Sequence, residues 1–152
     1  MKITVSQDFM DHKAWALETY NLYGRTPRAH SMAIDCELYE REMISRGLWT
    51  ASDDWRIDGL NAGVTIDVKT LAGKYFNINT GQKLLNILSQ RDILDGYQFI
   101  EWVSRPNRPL VLGDDVEVRN LGLLSYDVLA DNIRVSMKVP HGYYVDVRRL
   151  LQ

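Results

Sequence analysis

The sequence predicts an α/β (α+β) fold in which helices flank a mixed central β-sheet. Apolar residues recur at helical spacing in some segments and alternate with polar residues in others. These segments follow one another in the order helix, hairpin, helix, strand, which is typical of a mixed sheet with helices packed on it. The chain of 152 residues shows no repeat or linker, and its length is usual for one domain. We therefore expect a single domain over residues 1–152.

The first third of the chain is predicted to hold a short strand and two helices. The strand is KITV (2–5). The first helix begins at Asp8, a residue type favoured at helix N-caps, and ends near Leu22. The second helix runs from about Ala29 to Arg46, because apolar residues recur there at helical spacing: Met32, Cys36, Tyr39 and Met43.

The remainder is predicted to alternate between strands and helices. A hairpin comes first, with DWRIDGL (54–60) and VTIDVKTL (64–71) joined by the Gly-containing turn Asn61-Ala62-Gly63. The segment after Lys69 adds a strand or a substrate loop. The other predicted elements are a helix at 79–92, a strand at 97–103, short strands within 110–118, a helix at 123–131, and two strands within 133–150 broken at Pro140-His141-Gly142.

The hairpin is unusual because acidic residues stand in both of its arms, among apolar residues. Successive side chains of a strand point to opposite faces, so Asp67 and Lys69 share a face, with Cα atoms about 6–7 Å apart. Asp58, in the other arm, comes near Asp67 if the register matches. Two close carboxylates repel unless a counter-charge is present. A divalent cation supplies that charge, and Mg²⁺ prefers carboxylate, water and phosphate oxygens.

With these residues the hairpin resembles the PD-(D/E)XK nuclease superfamily. Asp58, eight intervening residues and Asp67-Val68-Lys69 follow its motif. Among its members, phage-type Holliday-junction resolvases have a similarly short hairpin between the two acids. The resemblance covers about residues 29–103 and implies a restriction-endonuclease-like core, with an N-terminal helix and a β-rich C-terminal extension outside it. It implies that Asp58 and Asp67 bind Mg²⁺ or Mn²⁺, that the Val68 carbonyl is a further ligand, and that Lys69 serves the attacking water.

Two further site residues follow from the same resemblance. Many members carry a glutamate about three turns before the Gly that ends the first core helix, and Glu37 matches that place, with Glu40 as its rival. Some members carry a glutamine at the start of the second core helix, where Gln82 stands. One difference from the motif is that Ile57, not proline, precedes Asp58.

The predicted function is therefore metal-dependent hydrolysis of DNA phosphodiester bonds, by either an endonuclease or an exonuclease. The net charge of −2 counts mildly against a nucleic-acid binder. No apolar run has the length of a membrane span or signal peptide, and a single cysteine suits a reducing compartment, so a cytoplasmic protein is expected. Because many small members of the superfamily are dimers, a homodimer is one expected arrangement, and a partner protein for targeting is another.

An alternative assigns no catalysis to the hairpin. Its polar face would then be solvated and carry an ordinary cross-strand charge pair. The chain would be a non-enzymatic nucleic-acid-binding protein or a phage-type accessory or assembly protein with an inactive nuclease-like fold.

Overall fold

The structure is a computed structural model that describes residues 1–138 and 142–152. Its strands are β1 (Lys2–Thr4), β2 (Gly59–Asn61), β3 (Val64–Thr70), β4 (Phe76–Ile78), β5 (Gly96–Ser104), β6 (Asp115–Ser125), β7 (Arg134–Val135) and β8 (Tyr143–Val145). Its helices are α1 (Gln7–Thr19), α2 (Pro27–Asp35), α3 (Leu38–Ser45), α4 (Gly81–Ser89), α5 (Tyr126–Asp131) and α6 (Val147–Leu150). A five-stranded mixed sheet has the order β1-β6-β5-β3-β2, and a three-stranded sheet has the order β4-β8-β7. The predicted α/β class is confirmed.

Contacts along the backbone group the chain into two compact units. The first comprises Met1–Leu48 and Trp102–Arg119, and the second comprises Trp49–Glu101 and Asn120–Gln152. The prediction of one domain over the whole chain stays a prediction. Across the described ranges, no helix combines the length and the apolar character needed to cross a membrane.

Helix α1, in the first unit, begins earlier than the sequence indicates. Ser6, not Asp8, is its N-cap, and the Ser6 hydroxyl accepts a hydrogen bond from the Phe9 backbone N–H at 3.2 Å. Asp8 instead lies in the first turn, where its negative charge favours the positive end of the helix dipole. The helix ends at Thr19 rather than near Leu22.

The single helix predicted from Ala29 to Arg46 is wrong, because two helices occupy this segment. Helix α2 begins at Pro27, after the Thr26 N-cap, with proline in a position that suits its fixed backbone angle. After α2 the chain forms a tighter turn, in which the Glu37 N–H donates a hydrogen bond to the carbonyl of Ile34, three residues earlier. Helix α3 follows as a separate element, and Glu37 stands at its N-cap position. Glu37 therefore lies at a helix junction instead of inside a helix.

The hairpin of the second unit is tighter than predicted. Two residues, Ala62 and Gly63, connect β2 and β3, and both have positive φ, at 51° and 85°. Such a pair is characteristic of the type I′ turn that matches the twist of two-residue hairpins. Strand β2 also needs Gly59 at its start, since a Cβ there would lie 3.0 Å from the Trp49 ring.

Most of the predicted DWRIDGL strand is not a strand. Before β2 the chain has a bend at Asp54, a turn at Trp55 and Arg56, and no regular structure at Ile57 and Asp58. The Asp54 carboxylate accepts hydrogen bonds from the Arg56 guanidinium and from the Arg56 backbone N–H, and these bonds lower the pKa of Asp54 to about 2. These hydrogen bonds close a ring between Asp54 and Arg56, and this ring competes with extension of the strand.

Strand β3 pairs with β5 in parallel, with Asp67 opposite Tyr97 and Lys69 opposite Phe99. Helix α4, which lies between them in the chain, provides the crossover that a parallel pair requires. It is shorter than the predicted 79–92, whereas the strand predicted at 97–103 is confirmed within β5. The core of this unit includes Leu71, Ile78, Ile87, Leu94, Tyr97, Phe99, Leu124, Tyr126, Leu129, Val145 and Val147.

The C-terminal third differs most from the prediction. LVL (110–112) is not a strand, because the Val111 N–H bonds to the Asp114 carboxylate in a turn, and VEV belongs to the long β6. The helix predicted at 123–131 begins at Tyr126, where Ser125 caps it. Within 133–150 the strands shrink to β7 and β8, and α6 replaces the end of the second one. The predicted break at Pro140 and His141 falls outside the described residues.

Candidate metal centre

Asp67 and Lys69 form an ion pair on one face of β3. The Lys69 Nζ lies 3.4 Å from Asp67 Oδ2, and the two side chains are 30% and 10% exposed. The predicted common face is therefore confirmed. The face is not solvated at Asp67, because the register places Tyr97, a core residue, beside it. A carboxylate this deeply buried needs partners to offset the loss of hydration.

Asp58 lies directly before β2 and continues its pairing with β3. Gly59 pairs with Ile66, and the Asp58 N–H donates to the Ile66 carbonyl at 2.8 Å. The Asp58 carboxylate also accepts a hydrogen bond from the Val68 N–H at 2.7 Å. Backbone geometry then places that Asp58 oxygen within about 5 Å of the Asp67 Cα. The Asp58 carboxylate therefore lies beside the backbone of Asp67 and satisfies a backbone N–H where β2 has ended.

A buried glutamine, Gln90, holds the Asp67 carboxylate from the end of α4. Its amide nitrogen donates to Asp67 Oδ2 at 2.5 Å and to the Arg56 carbonyl at 2.8 Å. Its amide oxygen accepts from the Tyr97 hydroxyl at 2.7 Å. The polar atoms of the Gln90 side chain are thus all used in linking the loop before β2, strand β3 and strand β5.

Tyr97 determines which groups donate and which accept in this hydrogen-bond network. Its side chain has no solvent exposure, and burial raises the pKa of its hydroxyl, with a further rise from the Asp67 carboxylate and a smaller one from Tyr126. The hydroxyl therefore stays protonated and donates to Gln90. The Gln90 amide is left to donate to Asp67, which holds the carboxylate oriented on its strand.

The sequence pointed to Gln82, but Gln90 is the glutamine that contacts Asp67. Gln82 is exposed and donates to Asn86 one turn along α4, at 3.0 Å. Gln90 stands eight residues later, at the C-cap. No periodicity marks it, because a C-cap residue belongs to neither face of its helix. The one available signal was a polar residue directly after an apolar helix and before a tyrosine-bearing strand.

The two helix glutamates lie in the first unit. The Glu37 carboxylate accepts a hydrogen bond from the Tyr20 hydroxyl at 2.9 Å and lies 3.3 Å from Nε2 of His12. Glu40 is buried in α3, with 8% exposure. The predicted ligand role of Glu37, with Glu40 as its rival, stays a prediction, as does that of the Val68 carbonyl.

The predicted binding of Mg²⁺ or Mn²⁺ by Asp58 and Asp67 stays a prediction. Within the described ranges, no three side chains of His, Cys, Asp or Glu come together as a metal-binding group. Zinc sites and Ca²⁺ cages require such groups, whereas Mg²⁺ is commonly bound through one or two carboxylates and completes its shell with water and substrate phosphates.

Replacing Gln90 with leucine is expected to lower the free energy of unfolding by about 1–3 kcal/mol. The substitution strips hydrogen bonds from the buried Asp67 carboxylate and the buried Tyr97 hydroxyl, and an unpaired buried polar group costs about that much. Urea unfolding followed by circular dichroism measures the change.

Gln82→Leu is the matched control, because it removes an amide from the same helix at an exposed position. Its unfolding free energy should stay within about 0.5 kcal/mol of the wild type. Equal stabilities for the Gln90 and Gln82 variants would contradict the network described above.

In comparisons with known proteins, no family model, no curated protein and no solved structure matches the chain. The site is therefore interpreted from its own geometry.

Proposed function

We propose that this chain is a cytoplasmic nuclease that hydrolyses DNA phosphodiester bonds with the help of Mg²⁺ or Mn²⁺. The observation that supports the proposal most is the grouping at one end of the hairpin: the Asp58 carboxylate bonds to the N–H of Val68, the residue next to Asp67, and the Lys69 amine lies beside the Asp67 carboxylate. Two acids and an amine on neighbouring backbone segments are the groups needed to hold a cation against a phosphate.

Each residue of the hairpin site would have its own role in the proposed hydrolysis. Asp58 and Asp67 would hold the divalent ion, which supplies Lewis acidity and lowers the pKa of a coordinated water. Gln90 and Lys69 both contact Oδ2 of Asp67, so Oδ1 is the oxygen left for the ion. Lys69 would hold the attacking water or donate to a phosphate oxygen as negative charge develops there. Gln90 would keep Asp67 in one orientation and is a positioning residue.

The substrate and the assembly are proposed on the resemblance alone. DNA is the proposed substrate class, with either endonuclease or exonuclease polarity. A homodimer would let one site serve each strand, and a partner protein would direct a small nuclease to its target.

A second candidate function is binding without catalysis. It is favoured by one observation: Asp58 and Asp67 already have protein partners, the Val68 N–H for the first and Gln90 with Lys69 for the second. On this alternative the acids stabilise the hairpin, and the chain is a binding or assembly protein with an inactive nuclease-like fold.

A panel of labelled DNA substrates separates the two candidates. Duplex, single-stranded and branched DNA are incubated with the wild-type chain in Mg²⁺, Mn²⁺, Ca²⁺ or EDTA, and the products are resolved on denaturing gels. The nuclease proposal expects cleavage of at least one substrate in Mg²⁺ or Mn²⁺ and none in EDTA. Intact substrates throughout the panel would reject it and leave the binding function.

A further inference from the structure

The first unit contains a cavity of about 580 Å³ that the proposed hydrolysis does not use. Its volume is in the range of small-molecule binding sites. The residues that give it chemical character are Tyr20, Tyr23, Arg25, His30 and Glu37. They combine two aromatic rings, a cation, an imidazole and a carboxylate, all on or beside the segment between α1 and α3.

His30 is a buried residue in the lining of the cavity. Its side chain is 3% exposed, and within residues 1–138 and 142–152 neither of its ring nitrogens has a hydrogen-bond partner. A neutral imidazole offers one donor and one acceptor, and burial of both without partners is unfavourable. Both ring nitrogens are enclosed by protein atoms, so His30 can report on the state of the cavity but is not a ligand contact.

Tyr23 is the sign that the cavity takes a ligand. Its φ is +52°, a left-handed conformation that is uncommon for a bulky residue, and Gly24 follows at +76°. The Tyr23 N–H bonds to the Asn21 side chain at 2.8 Å, which holds this conformation. The ring is nevertheless 78% exposed. Backbone strain that keeps an aromatic ring in solvent beside a cavity is typical of a ligand clamp, and the free ring face suits stacking on a base.

Glu37 and Arg25 define the polar ends of the ligand. Two of the four lone-pair positions of the Glu37 carboxylate are directed to Tyr20 and His12. The remaining carboxylate positions can accept two adjacent N–H groups. Among the DNA bases only guanine presents two, at N1 and N2. The exposed Arg25 guanidinium suits a phosphate.

We infer that this cavity binds a guanine nucleotide, stacked on Tyr23, with its N1–H and N2–H groups on Glu37 and its phosphate on Arg25. The ligand chemistry is shared by a free nucleotide and by an unpaired guanine within a strand. The inference is independent of the proposed hydrolysis, because binding requires neither the hairpin acids nor a metal.

Isothermal titration calorimetry in EDTA tests this binding on the full chain. The probes are the four deoxynucleoside 5′-monophosphates, inorganic phosphate, and hexamers of thymidine with and without one central guanine. We expect dGMP to bind about tenfold more tightly than dTMP, since thymine leaves the carboxylate without its second N–H donor. Tighter binding of the guanine hexamer than of dGMP identifies the strand as the source, and the reverse identifies the free nucleotide.

Four variants locate the site. Tyr23→Gly removes the ring but suits the positive φ, and it should weaken dGMP binding about tenfold, whereas Tyr23→Phe keeps the ring and the affinity. Arg25→Gln should weaken dGMP binding about tenfold. Glu37→Gln should abolish the preference for dGMP over dTMP. A shift of the His30 imidazole NMR signals by dGMP and not by phosphate gives a readout independent of affinity.

Two results would overturn the inference. One is the absence of binding by any nucleotide or hexamer. The other is binding with equal affinity for dGMP, dTMP and phosphate. Because all measurements are made in EDTA, failure here leaves the nuclease proposal untouched, and an inactive hairpin leaves this inference untouched.

Discussion

Asp67→Asn is expected to lower Mg²⁺-dependent DNA cleavage by about a thousandfold or more, while the chain remains folded. The metal's stabilisation of charge amounts to several kcal/mol, and about 4 kcal/mol corresponds to a thousandfold in rate. A neutral amide is a far weaker ligand for a hard cation than a carboxylate. The asparagine side-chain oxygen can still accept the Gln90 hydrogen bond, so the buried network keeps its shape. Single-turnover rates on the best substrate of the panel measure the effect.

Asp53→Asn is the matched control, because Asp53 is an exposed acid in the loop that leads to the hairpin. The same change of charge there should leave the rate within about threefold of the wild type. Thermal unfolding of both variants confirms that any loss of rate is not loss of fold. Asp67→Asn that is folded and retains wild-type rates would show that the hairpin holds no catalytic ion.

The hairpin and the strand beside it were predictable from the sequence because local rules decide both. Alternation fixes which residues of β3 share a face, and the Asp67–Lys69 ion pair lies where alternation puts it. Strand β5 is rich in aromatic and β-branched residues, so propensity and burial agree. The prediction was weaker at DWRIDGL, where the alternation is real but the ring between Asp54 and Arg56 favours a turn.

Long-range partners explain what the sequence could not reveal. The helix predicted over 29–46 breaks after Asp35, whose buried carboxylate accepts a hydrogen bond from the N–H of Leu110, 75 residues away. Gln90 was missed for the same reason. Its partners Asp67 and Arg56 lie 23 and 34 residues away, so no local pattern predicts the contact.

Asp58 illustrates why a motif needs geometry. Its spacing to Asp67 suggested a ligand, and the structure places its carboxylate beside the backbone of Asp67. The same carboxylate also bonds to the Val68 N–H, which a purely structural acid would do as well. The motif alone does not separate these roles for Asp58. Asp67→Asn tests the proposed site more directly, because no backbone N–H is among the observed hydrogen bonds of the Asp67 carboxylate in the described ranges.

The largest expected loss of stability lies in the first unit, at a buried ion pair. Lys13 Nζ lies 2.7 Å from Asp35 Oδ1, with side chains 5% and 0% exposed, and it also donates to the Leu110 carbonyl at 3.1 Å. Arg105 is farther away, at 4.0 Å from Asp35 Oδ2. Lys13→Met keeps the length of the side chain but leaves Asp35 charged and poorly compensated, so it should lower the unfolding free energy by about 3–5 kcal/mol. Urea unfolding measures the change.

Lys2→Met provides the contrast within the same unit. Lys2 pairs with Asp115 at 3.5 Å, but the two side chains are 72% and 50% exposed, so its loss should change the unfolding free energy by less than about 1 kcal/mol. The double variant Lys13→Met/Asp35→Asn removes both buried charges but keeps an acceptor for the Leu110 N–H, and it should recover part of the loss, because the penalty arises from the unpaired carboxylate. If Lys13→Met is as stable as Lys2→Met, the buried Asp35 carboxylate is neutralised without Lys13, which means that Arg105 moves to it. The double variant would then be less stable than Lys13→Met.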